Sequence, residues 1–160
     1  MERKRETFML KIRRYQASDH NEVWNLHNLA LDQVGANAGS GAQDNDLHTI
    51  EETYLSDKGE FLTGFCEEKL VAMGALQRIS DDKAEIKRMR VHPSFQRRGF
   101  GQTILNRLEM RANDLGYKIL CLDTTVQQIA ARKLYEKNGY CEIERQRIFG
   151  FDVIFFEKKL

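Results

Sequence analysis

Apolar and polar residues alternate along residues 10–15, and this period of two predicts a first strand. Asp19 followed by Glu22 has the spacing of a capping box. Val23, Leu26, His27, Ala30 and Val34 then recur at helical spacing. Residues 35–46 break the rhythm with three glycines and several Asn and Asp residues, so a loop is expected there. Leu47, Ile50 and Tyr54 fit one face of a second, short helix. Two strands follow at 61–66 and 70–79, divided by the hairpin break Glu67-Glu68-Lys69, and a third runs from 84 to 91 after the turn Asp81-Asp82. A helix over 103–115 carries Ile104, Leu105, Leu108, Ala112 and Leu115 on one face, with Gly116 at its end. A short buried strand at 119–122, a helix at 127–138 closed by Gly139, and a hairpin over 141–149 and 153–156 complete the chain. The order β-α-α-β-β-β-α-β-α-β-β implies one parallel pair around residues 84–122 and antiparallel pairing elsewhere, hence a mixed α/β sheet.

The strand at 84–91 is out of register with itself. Ala84 and Ile86 share one parity, Met89 and Val91 the other, and a straight strand cannot place all four on one face. One extra residue near Lys87 and Arg88, a β-bulge, restores the pattern and leaves ladder N–H and C=O groups free for a ligand. The alternative is that Met89 faces a helix on the opposite side.

Between this strand and the next helix lies Gln96-Arg97-Arg98-Gly99-Phe100-Gly101. Gly99 and Gly101 let backbone N–H groups approach a ligand, the helix start adds unpaired donors and a positive dipole end, and two arginines add charge; together these suit a diphosphate. The other reading is a surface turn with two glycines. A Walker A loop is excluded because Gln102 and Thr103 follow the second glycine instead of Lys and Ser/Thr. A dinucleotide fingerprint requires a third glycine where Ile104 stands, and the four residues 92–95 separate strand from loop where it needs a tight turn.

Size and charge narrow the class. With 160 residues, 41% hydrophobic, 31% charged and a net charge of +1, the chain reads as one soluble domain. That balance argues against a protein that coats nucleic acid. No apolar run approaches the ~20 residues of a membrane span, and the charged start lacks a signal-peptide apolar stretch, so a cytoplasmic location is expected. Cys66, Cys121 and Cys141 are odd in number, widely separated and set in strand-like segments, so buried reduced thiols are expected. His20, His27, His48 and His92 show no metal spacing.

Three stretches carry a family resemblance: residues 85–93 (Glu-Ile-Lys-Arg-Met-Arg-Val-His-Pro), the glycine loop above, which fits Gln/Arg-x-x-Gly-x-Gly/Ala, and Ala131-Arg132-Lys133-Leu134-Tyr135-Glu136-Lys137-Asn138-Gly139-Tyr140. In these and in their order the chain resembles the GCN5-related N-acetyltransferase (GNAT) superfamily. The resemblance implies a single N-acetyltransferase domain over residues 1–160. Its central mixed sheet has about seven strands with a splayed parallel pair, flanked by about four helices. It implies acetyl-CoA as co-substrate, the pantetheine arm on the backbone of Met89, Arg90 and Val91, and the pyrophosphate on amides of Gln96, Arg97, Arg98, Gly99, Phe100, Gly101 and Gln102. Many relatives have Asn where Gln128 stands; its longer amide offers the same donors and acceptor.

The implied reaction moves an acetyl group to a primary amine by direct attack in a ternary complex. Tyr135 would protonate the leaving thiolate, the phenol and thiol having comparable pKa values, and Glu85 would accept the amine's proton. On the residues alone, Tyr135 also fits a core position and Glu85 an exposed strand glutamate paired with Lys87 or Arg88. A backbone N–H near Arg90 would stabilise the oxyanion. Asp123, Thr124 and Thr125 end a strand where open sheets gather ligands, although Thr125 equally suits a helix cap.

Two other classes stand beside this reading. One is a regulatory module that binds acyl-CoA without catalysis. The other is nucleic-acid binding through Arg88, Arg90, Arg97 and Arg98, which requires steep salt dependence. The acceptor, a small-molecule or peptide amine such as a polyamine, aminoglycoside, amino acid, protein N-terminus or lysine, should be set by residues 35–46, where Asp44 and Asp46 suit a cation. The apolar segment 153–156 offers a surface for a homodimer.

Overall fold

The structure, a computed structural model, describes residues 9–36 and 41–160; the charged start and part of the glycine-bearing segment expected as a loop lie outside them. Strand β1 (Lys11–Arg14) leads to helix α1 (His20–Gln33). Strands β2 (Glu60–Cys66), β3 (Lys69–Arg78) and β4 (Lys83–Val91) follow, then helix α2 (Phe100–Asp114), β5 (Ile119–Thr125), helix α3 (Ile129–Lys137), β6 (Cys141–Ile148) and β7 (Phe151–Lys159). The seven strands form one sheet in the order β1-β2-β3-β4-β5-β7-β6. β4 and β5 pair parallel and the other neighbours antiparallel. This is the mixed α/β sheet that the pattern of elements implies.

Each face of the sheet has its own core. On one, Ile104, Leu105, Leu108 and Ala112 of α2 and Tyr135 of α3 pack with Ala72, Leu76, Ala84, Ile86, Leu120 and Phe156. On the other, Val23 and Leu26 of α1 and Leu47, Ile50 and Tyr54 pack on Phe61, Met73 and Ala75. Residues alternating along β3 serve both layers, which is why the strand reads as a continuous apolar run.

The bulge is present in β4. Met73 pairs with Arg90 and Ala75 with Lys87, so Gly74 alone stands opposite both Arg88 and Met89. Arg88 takes a positive φ of 58°, and the turn it makes resets the parity. Ala84 and Ile86 are buried, and Met89 and Val91 pack on the same core. A glycine is required opposite: a Cβ on Gly74 would come within 2.6 Å of Met89 Sδ and Ile104 Cγ2.

Several expectations need correction. The short helix expected to carry Leu47, Ile50 and Tyr54 is not one α-helix; residues Ala42–His48 wind as a tight 3-10 helix and Glu51–Leu55 as one π turn. The apolar spacing was sound, since Leu47, Ile50 and Tyr54 are all buried, but two aspartates inside the tight turn are held from β4 (below). The Asp19–Glu22 capping box is absent: Asp19 takes a two-pronged bond from Arg13 and the Gln16 N–H, while Glu22 accepts from Leu70 N. β7 lies inside the sheet with Val153, Ile154 and Phe156 buried, so its apolar residues serve the core and present no edge to a second subunit. Cys66 is buried, but Cys141 is exposed because β6 is the outer strand. Among the described residues no helix is long and apolar enough to cross a membrane.

Candidate active site

The parallel pair is brief. Lys83 pairs with Ile119, Ala84 with Leu120 and Glu85 with Cys121, and there the ladder stops. β5 continues to Thr125 along β7, while β4 bends away through its bulge. Beyond Glu85 the backbone groups of β4 on that side have no strand partner, and a V opens between the two strands.

At the far end of β4 the chain turns into the glycine loop. Arg97 and Gly99 both adopt left-handed backbone, φ 63° and 79°. At Gly99 nothing stands near a Cβ, so backbone angle alone favours glycine there. The first bond of α2 runs from Thr103 N to Gly99 O at 3.0 Å. The N–H groups of Phe100, Gly101 and Gln102 precede it and find no acceptor within the helix, which creates an anion site with the dipole behind it. Gly101 is less constrained, since a Cβ would make ordinary contact with Leu134 at 3.5 Å. The Arg98 guanidinium lies over the Phe95 ring at 4.9 Å. Gln96 bonds Gln33 of α1 and the Val91 carbonyl, tying the loop to the end of β4.

A cleft of about 370 Å³ fills the V on the α1 side. Glu85, Met89, Arg90, Asp123, Gln128 and Tyr135 line it, so five of the residues singled out as catalytic or cofactor-binding meet there, together with Asp123. Val91 and residues 96–102 do not; Val91 ends β4, and residues 96–102 make the neighbouring loop and the first turn of α2. Gln128 Nε2 lies 3.3 Å from Thr125 Oγ1, which aims its amide along the cleft wall, and Thr125 does not cap α3.

Tyr135 is buried, its ring edge-on to Tyr140 at 5.8 Å. Burial pushes its pKa up to about 12, against the pull of the Arg90 charge. The phenol is therefore neutral and able to donate throughout the physiological range. Glu85 has a raised pKa because it is desolvated, with Lys87 opposing and Asp123 reinforcing the shift. Asp123 is raised too, again by burial first. Two carboxyls that resist ionisation thus share the cleft.

The Asp44–Asp46 segment does not offer free acidity. Arg88 Nε and Nη2 bond Asp46 at 2.9 and 2.5 Å, Nη1 bonds Asp44 at 3.2 Å, and Nη2 also reaches the Gln43 carbonyl at 2.8 Å. Tyr54 donates to Asp46 as well. Burial works against ionising Asp46, but Arg88 overcomes it and holds the carboxyl below its ordinary range. The expectation that these acids select a cationic amine finds no open carboxylate: Arg88 holds both, although one guanidinium offsets only one of their two charges. His27 is fully buried beside them, its Nε2 3.2 Å from Asp44. Desolvation, then the charges of Arg90 and Arg88, push its pKa down to about 3, so the ring is neutral and the contact is no ion pair.

Three cleft features escaped the sequence: His27, the side chain of Arg90, and Ile148 with Phe149 at the β6–β7 turn. Parity contained the signal for Arg90. If the bulge turns Met89 and Val91 inward, Arg90 must share the opposite face with Glu85 and Lys87.

A mixed sheet parted between two parallel strands, with a glycine-led helix at its mouth, defines the acetyltransferase class of fold. The chain belongs to the Acetyltransferase (GNAT) family, whose model matches residues 20–140. It is similar to an N-acetyltransferase of Escherichia coli K12, YedL, described as uncharacterized, at 35% identity over 48% of this chain and 50% of the relative. YsnE of Bacillus subtilis, described likewise, is 34% identical over 58% of this chain and 64% of the relative. The chain thus spans between half and two thirds of these relatives' length. A GNAT-family acetyltransferase of Staphylococcus aureus Mu50 superposes with a TM-score of 0.87 at 21% identity, over 94% of this chain and 99% of the other. A putative acetyltransferase, yncA of Salmonella typhimurium, solved with its cofactor acetyl-CoA, superposes with a TM-score of 0.78 at 20% identity, over 94% and 93%.

Proposed function

We propose that this protein is an N-acetyltransferase that moves the acetyl group of acetyl-CoA to a primary amine. The observation that carries this reading is the parting of β4 from β5 after Glu85, with Tyr135 lining the gap. A pantetheine arm lying along the freed backbone of Met89, Arg90 and Val91 would complete the hydrogen bonding that β5 does not supply. The pyrophosphate would sit on the amides of Phe100, Gly101 and Gln102, with Gln96, Arg97, Arg98 and Gly99 shaping the loop and Gln128 on the opposite wall. Bound there, acetyl-CoA supplies the activated acyl group. Relatives with named acceptors support an amine substrate: a bS18-alanine N-acetyltransferase of E. coli K12 at 29% identity and an N-acetylaspartate synthetase of Xenopus tropicalis at 30%.

In the proposed step the amine nitrogen attacks the thioester carbonyl, a C–N bond forms and the C–S bond breaks. Glu85 takes a proton from the amine, directly or through water. Tyr135 gives one to the sulfur, and solvent returns the proton balance between the two. A free thiol near pKa 8.5 and a phenol at about 12 are poorly matched. A thiolate leaving into the same dry surroundings is raised as well, which narrows the gap.

Assay of thiol release from acetyl-CoA with a broad amine panel tests the reading. Amine-dependent release is expected; acetyl-CoA binding without release across the panel would instead identify a non-catalytic binding module. Glu85 makes a sharper prediction. Its raised pKa means that kcat/KM should fall on acidification at a pH above the ordinary carboxylate range, because a protonated carboxyl cannot accept. Glu85→Gln is expected to lower kcat/KM by about 100-fold and remove that acid limb. A limb that persists in the variant assigns it to another group.

A further inference from the structure

The proposed mechanism uses the backbone of Arg90 but not its side chain, and that side chain has unusual company. The cations of the acceptor half of the cleft are unequally matched. Arg88 is bound by two carboxylates and a carbonyl. Lys87 donates to Gln77 Oε1 at 3.2 Å. Arg90 lines the same cleft, yet among the described residues its hydrogen bonding is limited to Nη1 donating to the Met89 carbonyl at 2.8 Å. Its Nε is buried without any partner. No described carboxylate lies within ion-pair distance of it, although Asp44 and Asp123 are near enough to be felt. Burial and the repulsion of Arg88 lower its pKa to about 10, still far enough above neutrality that it is charged.

A half-buried guanidinium whose Nε is cut off from water without a partner is poorly solvated, and an anion meeting its outer nitrogens would offset that cost. The counterpart is equally plain: Glu85 and Asp123 are carboxyls in the same cleft that lack a cation within bonding distance. A molecule bearing one positive and one negative end would satisfy both. Nη2 and the second N–H of Nη1 remain to meet the two oxygens of a carboxylate end-on; a phosphate dianion would call on further cations, and Arg88 and Lys87 are already engaged.

We propose that the acceptor is a free amino acid or close analogue, its carboxylate bound by the Arg90 side chain and its amine turned toward Glu85 and the thioester. This rests on the acetyltransferase reading above and adds the substrate class to it.

The test uses the full chain with acetyl-CoA and matched acceptors: each standard amino acid, its amide, and the amine left when the carboxylate is removed. For the preferred amino acid, kcat/KM should exceed that of its amide and its decarboxylated amine by on the order of 10- to 100-fold. Arg90→Met should raise KM and bring that ratio close to one, while Arg90→Lys restores part of it. Acetyl-CoA titration of both variants checks that the cofactor site persists. Because Arg90→Met removes a charge that partial burial already disfavours, its melting temperature should hold or rise; a fall would mark Arg90 as a structural ion and count against the proposal. If amides and decarboxylated amines react as well as amino acids, the carboxylate site is overturned and the transferase reading stands. If no acceptor releases thiol, titration of the CoA-saturated protein followed by NMR decides the matter. Amino-acid binding that Arg90→Met abolishes upholds the site without the reaction, and no binding to the unaltered protein overturns it.

Discussion

Replacing Tyr135 by phenylalanine is expected to lower kcat by about 100-fold while the KM for acetyl-CoA stays within about twofold. The reasoning starts from packing. The Tyr135 ring is held by Tyr140 and Phe156, and phenylalanine keeps those contacts. No described residue hydrogen-bonds its hydroxyl, so deletion leaves no orphaned partner and no reason to unfold. What disappears is the donor available to the leaving sulfur, an interaction that grows as charge develops and therefore appears in kcat rather than in binding. Steady-state kinetics with the best amine of the panel, beside a thermal melt, gives the answer. A kcat within threefold of the unaltered protein would remove Tyr135 from the mechanism.

Arg88→Met carries the largest expected cost to stability, about 3–5 kcal/mol at pH 7.5. Arg88, Asp44 and Asp46 are nearly buried, with side-chain exposures of 12%, 8% and 13%. Removing the cation leaves two nearby carboxylates without their shared guanidinium, Asp46 with only the Tyr54 phenol and Asp44 with only the neutral His27 ring beside it. The deficit should depend on pH in a definite sense. In the unaltered protein the depressed Asp46 contributes stability that is present above the unfolded carboxylate pKa and is lost as pH falls through the folded value. In the variant the same carboxylates are destabilising while ionised and recover as they protonate. Between pH 7.5 and pH 5 the first contribution is unchanged, since both lie above the unfolded carboxylate pKa, so only the variant's recovery narrows the gap; urea unfolding should give the smaller difference at pH 5. A gap that ignores pH would assign the loss to packing, not charge.

The parts of the fold legible in sequence were those whose cause is local. Continuous apolar runs mark β2 and β3, a 3.6-residue stripe marks the core face of α2, and the parity slip between Ile86 and Met89 points to a bulge or to a Met89 facing the other side, of which the bulge is what forms. α2 begins at Phe100, three residues before the expected start, because Gly99 turns the chain into the helix and Phe100 already packs in the core, a contact masked in the sequence by the glycines on either side of it. What was not legible depends on distant partners. Asp19 looks like a cap until Arg13 claims it. Residues 42–55 carry helical spacing but are shaped by Arg88, more than 40 positions away in sequence. The strand at β5 extends through Asp123-Thr124-Thr125 because β7 pairs with it, and no periodicity in those polar residues announces that. For the same reason the residues of the cleft could be named but not their charge states. Arg88 and Arg90 look alike on the page of the sequence; only the fold decides which one meets the aspartates.

The three residue pairs joining β4 to β5 have a mechanical meaning. Among the described residues they are the strand pairing between the four-stranded block β1 to β4 and the three-stranded block of β5, β7 and β6, extended at its base by Lys118 N and Ile119 N donating to the Asp82 carbonyl. The sheet is in effect two leaves on a short spine, and widening the angle between them breaks no rung. The aperture is set instead by side chains in the angle, Met89 and Val91 on one leaf and Leu134 and Tyr135 behind. In the proposed transfer, the length of acyl chain accepted would then be set by trimming or enlarging these side chains, with the backbone framework left as it is.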